Sequence, residues 1–497
     1  MDTMDALTER WFHRLRICVL LPWWLVAGLE AATQYVIVIS VDGMGSAYVT
    51  PLLASGVTNE LTTFKRFQSE GAGTLNARSD PDNTTTLPNH VTMMTGRGVN
   101  GTAGHGWSEN EDPLPTETLA SNKGSYVASA FDVAHDNGRR TGIWAGKSKF
   151  SLFLQSYSST TGAVDITGPD NGRDKIDYDN VDDEISSLSR TEDLMSQMAA
   201  NPFHFVFFHY PDPDDTGHEF GWSTNPASTF AATLKMVDTQ IGNILQMVEE
   251  NPTLQGKTTI ILTADHGGHY YLHDDTSDAL NFTIPFYVWG PGVLAGGDLY
   301  AMNPTTRTAP GEMVNPAYTG SQPIRNGDAA NLAMHLLGLG AVPESTIDNN
   351  QDLIVTLLTG FALWIQGFSW NAYANPDKTP TGDPDGDGFE NAIEYILGSS
   401  PAAANAGGPT VSIIGDDFVF MFQRALASKT ADAALAIEVG TTLAAWPGIY
   451  QVGTDTPSST PGVTVAPGPT GYELITLTIP RAPDARKFAR MRVSITP

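Results

Sequence analysis

Three short stretches place Asp and His side chains directly after apolar runs. Val-Ile-Val-Ile-Ser-Val ends at Asp42-Gly43. Phe-Val-Phe-Phe-His-Tyr leads into Asp212, Asp214, Asp215 and His218. Thr-Ile-Ile-Leu-Thr-Ala ends at Asp265-His266-Gly267-Gly268, with His269 and His273 just beyond. In an open α/β sheet, ligands bind beyond the carboxyl ends of the strands. Asp42 alone would pass for a helix cap or a turn former. Asp265-His266 would not, because two adjacent ionisable groups after an apolar strand are costly to desolvate unless paired or metal-bound. Carboxylate and imidazole without thiolate suit zinc, with manganese or iron also accommodated.

A fourth stretch reads Asn83-Thr84-Thr85-Thr86-Leu87-Pro88-Asn89-His90. It predicts a helix entry with Thr86 as cap and Pro88 in the first turn. A helix N-terminus also stabilises a nucleophile and a phosphate.

The four blocks, in this order, resemble the alkaline phosphatase superfamily and its type I phosphodiesterase/nucleotide pyrophosphatase branch. That branch reads Asp-Gly, Thr-Phe-Pro-Asn-His, Asp-x-x-Gly-His and Asp-His-Gly. Here these are Asp42-Gly43, Thr86-Leu87-Pro88-Asn89-His90, Asp214-Asp215-Thr216-Gly217-His218 and Asp265-His266-Gly267. The resemblance covers roughly residues 35–340 and implies an alkaline phosphatase-like fold. It assigns Asp42, Asp265 and His266 to one zinc, with Thr86 as the nucleophile on it. Asp214, His218 and a third His would hold a second zinc. His273 is the first choice for that third position, His269 the next, and His335, in an apolar helix expected to be core, the last. Asp212, two residues early, is expected in a turn.

The implied chemistry is in-line attack on phosphorus, a phospho-threonine intermediate and its hydrolysis. The substrate would be a small phosphorylated molecule, a diester or a monoester. A phosphonate hydrolase or a phosphotransferase on the same site is the alternative. A different class, an inactive surface- or carbohydrate-binding protein, is argued against by the intact set. A sulfatase needs a Cys or Ser in another motif.

Two departures bear on substrate. The branch carries an Asn about 21 residues after the nucleophile; here that place is Trp107, whose indole N–H either donates in its stead or packs. Lys147-Ser148-Lys149 follows Trp144-Ala145-Gly146, and strand alternation would put Lys147 and Lys149 on one face. Such a pair is either a solvated strand end or, as in related phosphonoacetate hydrolases and phosphomonoesterases, a grip on a doubly charged group.

The elements that must position these residues are legible as runs at Tyr35–Val41, Thr141–Ala145, Phe203–His209, Thr258–Ala264 and Thr283–Trp289. Helical stretches such as Ser228–Glu249 and Gly327–Leu339 fall between them. Near-continuous apolar runs predict strands buried on both faces. The expected fold is α/β, a mostly parallel central sheet with helices on both faces, plus a small C-terminal all-β sandwich. The expected divisions are a signal peptide over 1–32, a metal-dependent phosphohydrolase domain over 33–345, a helical linker with a calcium loop over 346–400, and a β-sandwich over 401–497. The sandwich is read from short alternating segments at Asp417–Gln423, Leu435–Val439, Glu473–Ile479 and Lys487–Ile495. Its partner is not specified.

In the linker, Asp383, Asp385, Asp387, Phe389, Asn391 and Glu394 occupy ligand positions of a twelve-position calcium loop, with Gly388 at its sharp turn. The alternative is an ion-free Asp/Gly linker. The segment also resembles the hinge that joins secreted bacterial enzymes to a C-terminal β domain.

The 497 residues carry 55 acidic against 27 basic side chains, a net charge of −28. That excess argues against duplex nucleic-acid or anionic-membrane binding. The single cysteine, Cys18, excludes a disulfide framework and a thiolate zinc site. Arg10, His13, Arg14 and Arg16 precede an apolar run from Ile17 to Leu29, then Glu30, Ala31 and Ala32. This is the pattern of a secretory signal cleaved near Ala32, or else an uncleaved anchor or buried helix. A run of about 13 residues is short for a membrane span. A secreted, periplasmic or cell-surface location is expected, with no transmembrane segment in the mature chain.

Overall fold

The computed structural model describes residues 33–495, apart from 166–167, 170–171, 357–359, 369, 371–372, 374–375 and 405–406. The signal-peptide reading over 1–32 lies outside the described residues, as do parts of the linker. The chain divides into two compact units, residues 1–355 and 356–497.

The first unit is built on an eight-stranded sheet. Its strands are β1 (Tyr35–Val41), β2 (Ala72–Arg78), β3 (Thr141–Ala145), β4 (Tyr178–Val181), β5 (Phe205–Tyr210), β6 (Thr258–Thr263), β7 (Thr283–Trp289) and β8 (Gly297–Asp298). The order is β4-β3-β5-β1-β6-β7-β2-β8. Strands β4, β3, β5, β1 and β6 are mutually parallel. Every residue of β1, β3, β5 and β6 is buried, which requires cover on both faces of the sheet.

Helices supply that cover in two separately packed groups. Thr62–Glu70 and Ser187–Ala200 pack on Thr229–Glu250, while Thr86–Thr95 and Ala130–Asp136 pack on Asp328–Leu336. The long helix Thr229–Glu250 shows the cause of such packing. Phe230, Leu234, Val237, Ile241, Ile244, Leu245 and Val248 recur every three or four residues and are its buried stripe. Ser228 caps it, accepting from the Ala231 amide.

The sheet departs from all-parallel at β7, which pairs antiparallel with β6 and with β2. Between β6 and β7 the chain forms only the four-residue helix Ala279–Phe282. The rest of residues 264–282 is loop that carries Asp265, His266 and His273 rather than a helix spanning the sheet, and the chain doubles back.

The second unit has two antiparallel sheets. One, β13-β14-β10-β9, contains Val463–Pro467, Tyr472–Pro480, Asp417–Ala425 and Thr410–Ile414; the other, β12-β11-β15, contains Gly448–Val452, Ala433–Gly440 and Phe488–Ile495. Phe418, Phe420, Ile475 and Leu477 from the first share one core with Leu435, Ile437 and Met491 from the second. Ile396 of helix Asn391–Leu397 joins that core. Phe361 and Ile365 of helix Gly360–Gln366 pack with Tyr395. Part of the expected linker is therefore built into the second unit.

Candidate metal centre and nucleophile

The register explains why distant motifs meet. Ser40 of β1 lies beside His209 of β5 and Thr263 of β6. The loops that begin at Asp42, Pro211 and Ala264 therefore leave the sheet at one end, side by side. β3, on the far side of β5, delivers Lys147 to the same end. Two antiparallel pairings give β2 the direction of β6, so the segment after Arg78 also emerges there and leads into the helix Thr86–Thr95.

A buried tryptophan seals the loops together. Trp222 Nε1 donates to the Gly43 carbonyl at 2.8 Å. A Cβ on Gly217 or Gly268 would fall 2.5 or 2.2 Å from its ring. Gly43 itself has φ +70°, and a Cβ there would meet Asp214 Cα at 3.0 Å. The glycine in each motif is thus required by close approach.

The first cluster is Asp42, Asp265 and His266, all fully buried. His266 Nδ1 lies 2.7 Å from the Gly267 carbonyl. A carbonyl only accepts, so Nδ1 carries the proton and Nε2 is a bare lone pair. That lone pair faces Asp265 Oδ2 at 3.2 Å, Asp42 Oδ1 at 3.3 Å and Thr86 Oγ1 at 3.4 Å. Asp42 Oδ1 and Asp265 Oδ2 have no hydrogen-bond partner.

The second cluster repeats this arrangement. His273 Nδ1 meets the Thr84 carbonyl at 2.7 Å, and His218 Nδ1 meets the Tyr271 carbonyl at 2.8 Å. Their bare Nε2 atoms face each other at 3.2 Å. Asp214 Oδ1, buried and without a hydrogen bond, lies 3.5 and 3.6 Å from them. Converging lone pairs with no proton between them repel unless a cation sits among them. The donor set therefore fits two metal ions, and imidazole with carboxylate fits zinc.

Electrostatics point the same way. Burial, then the Asp42 and Asp214 charges, push the Asp265 carboxyl well above its usual range. Burial would raise Asp42 too, but Lys147 and the His209 hydrogen bond outweigh it and hold that carboxyl low. Burial lowers the pKa of the His266 imidazole. It pushes His273, with His266 beside it, down to about 3.

Thr86 is the first residue of its helix and 1% exposed; Thr85, not Thr86, takes the cap position. His269 belongs to neither cluster: its Nδ1 bonds Asp278 Oδ2 at 2.5 Å and its ring stacks on Tyr270. His335 is exposed at the end of its helix rather than core. Asp212 starts the helix Asp212–Phe220 and accepts from Ser187 Oγ at 2.5 Å.

Of the two departures, one takes its packing alternative and the other needs correction. Trp107 is 3% exposed and donates its indole N–H to the Glu109 carbonyl at 2.8 Å, so it packs. The amide at the start of the Thr86 helix is instead Asn110, whose Oδ1 accepts from the Leu87 N–H at 2.9 Å. Lys147 and Lys149 do not share a strand face, because β3 ends at Ala145 and Ser148–Phe150 is a 3₁₀ turn. Lys147 Nζ bridges Asp42 Oδ2 at 2.7 Å and Asp214 Oδ2 at 2.6 Å. Lys149 is partly buried, and burial, then Lys147, lower the pKa of its ammonium.

His209 was not singled out by the sequence. Its Nδ1 accepts from the Gly146 N–H at 3.3 Å, so its proton sits on Nε2, 3.0 Å from Asp42 Oδ2. A lone His in an otherwise apolar strand beside the Asp42 strand was the available signal.

In the second unit Asp383, Asp385 and Asp387 also converge. Asp383 accepts from the Gly386 and Gly388 amides at 3.0 Å, and Gly388 has φ +92°, a turn that favours glycine. Phe389 N–H donates to Asp387 Oδ1 at 2.9 Å. Asn391 is fully buried; its Nδ2 donates to the Asp377 and Thr379 carbonyls while its Oδ1 has no hydrogen bond. Burial, with Asp385 and Asp387 nearby, pushes Glu394 up to about 8.

The family model for type I phosphodiesterase / nucleotide pyrophosphatase matches residues 36–315, more than half of the chain. Among curated proteins, GPI ethanolamine phosphate transferase 1 of Aspergillus oryzae is 25% identical over 288 residues, 54% of this chain and 26% of the relative. The Homo sapiens protein of that name is 26% identical over 223 residues, 42% of this chain and 21% of the relative. The chain thus spans about a quarter of the length of these relatives. Among solved structures, murine ectonucleotide pyrophosphatase / phosphodiesterase 5, an inactive T72A form in complex with AMP, is similar at 17% identity and TM-score 0.42, covering 64% of this chain and 99% of that one. A protein in the alkaline phosphatase superfamily from Vibrio parahaemolyticus is similar at 10% identity and TM-score 0.42, over 86% of this chain and 80% of that one.

Proposed function

Because the chain belongs to the type I phosphodiesterase / nucleotide pyrophosphatase family, we propose that it is a two-zinc phosphoester hydrolase in which Thr86 is the nucleophile. One observation carries this reading. Three imidazoles, each with its Nδ1 proton given to a backbone carbonyl, aim bare Nε2 atoms at partnerless carboxylate oxygens, with Thr86 Oγ1 3.4 Å from one of them. Asp42, Asp265 and His266 would hold one ion, and Asp214, His218 and His273 the other. Two such ions supply Lewis acidity, neutralising phosphoryl oxygens and easing loss of the proton from a hydroxyl beside them.

The chain's own residues do the rest. Thr86 Oγ1, its proton lost to solvent, forms the bond to phosphorus while the bond to the leaving alkoxide breaks in line and the alkoxide takes a proton from solvent; water then releases phosphate from Thr86, or a phosphate monoester where the substrate is a diester. With its Oδ1 accepting from the Leu87 N–H at the start of the helix, the Asn110 amide has its Nδ2 donors left to meet a phosphoryl oxygen. Lys149 makes no ion pair or hydrogen bond among the described residues and is the cation free to meet substrate charge.

A panel of a phosphate monoester, a phosphate diester and a phosphonate tests the reading. Zinc-dependent release of alcohol from an ester is expected. Purified protein that binds no zinc and cleaves none of the three contradicts it and favours a binding role. A transferase reading draws on the relatives, which are named as transferases. Diversion of the phosphoryl group to an added alcohol would favour it.

We also propose that the second unit carries one calcium ion on Asp383, Asp385, Asp387, the Phe389 carbonyl, Asn391 and Glu394, and that the protein is exported. Glu394 and the Asp383–Asp387 carboxylates repel one another without a cation. EGTA with excess zinc present is expected to make the segment 376–390 sensitive to protease while activity holds. Unchanged cleavage, or activity lost in step with calcium, contradicts this. No helix among the described residues is long and apolar enough to cross a membrane.

A further inference from the structure

Lys147 stands at the seam between the two clusters. Its side chain is 15% exposed and its ammonium takes one carboxylate from each, Asp42 Oδ2 at 2.7 Å and Asp214 Oδ2 at 2.6 Å. Asp215 Oδ1, on a largely exposed side chain, lies farther off at 3.9 Å.

The two carboxylates are divided in the same way. On Asp42, Oδ2 receives Lys147 and the His209 Nε2–H, while Oδ1 receives nothing and faces His266 Nε2. On Asp214, Oδ2 receives Lys147, while Oδ1 receives nothing and faces the Nε2 atoms of His218 and His273. One oxygen of each is committed to the lysine and the other is turned to the imidazoles.

Resting on the two-metal reading above, we propose that Lys147 is a positioning residue for both metal ions. By occupying Oδ2 of Asp42 and of Asp214 it makes each carboxylate a one-oxygen ligand. A carboxylate with both oxygens free can chelate an ion and fill a position that a substrate oxygen needs. The same ammonium spans the two clusters, so it ties the placing of one ligand to that of the other. It also offsets buried negative charge when no metal is present, where an unpaired carboxylate would be costly. Two of its three N–H groups are used this way, which leaves one for a phosphoryl oxygen.

The test uses the full chain loaded with cobalt(II), whose visible bands weaken as its coordination number rises from four. Lys147→Met frees both Oδ2 atoms, so its cobalt bands are expected to be weaker than those of the wild type. Lys147→Arg keeps the charge and the donors and is expected to restore much of the intensity. Metal-free Lys147→Met is expected to melt lower than metal-free wild type by at least about 4 °C. If the metal-free variant does not fold, it is refolded with cobalt and the spectrum is read on that form. A Lys147→Met spectrum that matches the wild type overturns the inference, whatever the melting temperature. If the wild type takes up no cobalt, it is the metal-centre reading that fails instead.

Discussion

Thr86→Ala should lower kcat by at least about a thousandfold, a barrier increase of about 4 kcal/mol, while zinc content stays at the wild-type level. The size follows from the position. Thr86 Oγ1 is the one hydroxyl oxygen placed 3.4 Å from His266 Nε2 at the first cluster, and it opens a helix whose ten residues are all buried. Removing the hydroxyl and the γ-methyl from the first helical residue leaves the helix's other packing residues and its cap position in place. Asp42, Asp265 and His266 keep their own contacts without it: the Gly43 and His266 amides still donate to Asp265, and His266 Nδ1 still meets the Gly267 carbonyl. The loss should therefore fall on chemistry and spare metal uptake. A folded variant that keeps its activity removes Thr86 from the reaction.

His273→Ala should cost one of the two metal ions and at least about a hundredfold in activity, since even partners one step removed from a metal are worth 10–100-fold. His269→Ala should leave metal content unchanged. The two residues are four apart, with the turn closed by His269 and Leu272 between them, and they face different ways. His273 Nδ1 is tied to the Thr84 carbonyl, which sends Nε2 toward His218 and Asp214. His269 Nδ1 is tied to Asp278, and its ring lies on Tyr270. Metal analysis of the two variants checks this directly. The reverse order would mean that the second ion is held by the other imidazole.

How far the sequence exposes this molecule depends on what each segment buries. Strands β1, β3 and β7 coincide with apolar runs because nearly every one of their positions is buried. β2, Ala-Gly-Thr-Leu-Asn-Ala-Arg, carries Gly, Asn and Arg and is only partly buried, so no run marks it. β4 and the two-residue β8 are edge strands of the sheet, half exposed and short. The direction of β7 depends on the path of the connection before it, residues 264–282, which composition does not reveal.

The site divides along a similar line. Candidate ligands carried by motifs at fixed offsets from strand ends, Asp42, Asp214, Asp265 and His266, converge because the strand fixes where the offset lands. Residues that reach the site through loop geometry cannot. Trp107 stands at the expected distance from Thr86, but the glycine-rich stretch before it turns its indole to Glu109 and leaves Asn110 beside the Leu87 amide. Lys147 and Lys149 satisfy a strand alternation that the chain abandons for a 3₁₀ turn. His209 lies hidden in an apolar strand, where its partner Asp42 comes from a segment 167 residues away.

Passage of a phosphoryl group through Thr86 is read most directly by mass spectrometry of protein acid-quenched during turnover of a phosphoester. One phosphoryl group is expected on the peptide that contains Thr86, and none on that peptide of Thr86→Ala treated in the same way. Turnover at the wild-type rate with no phosphoryl group on that peptide, or with one on another residue, would contradict it.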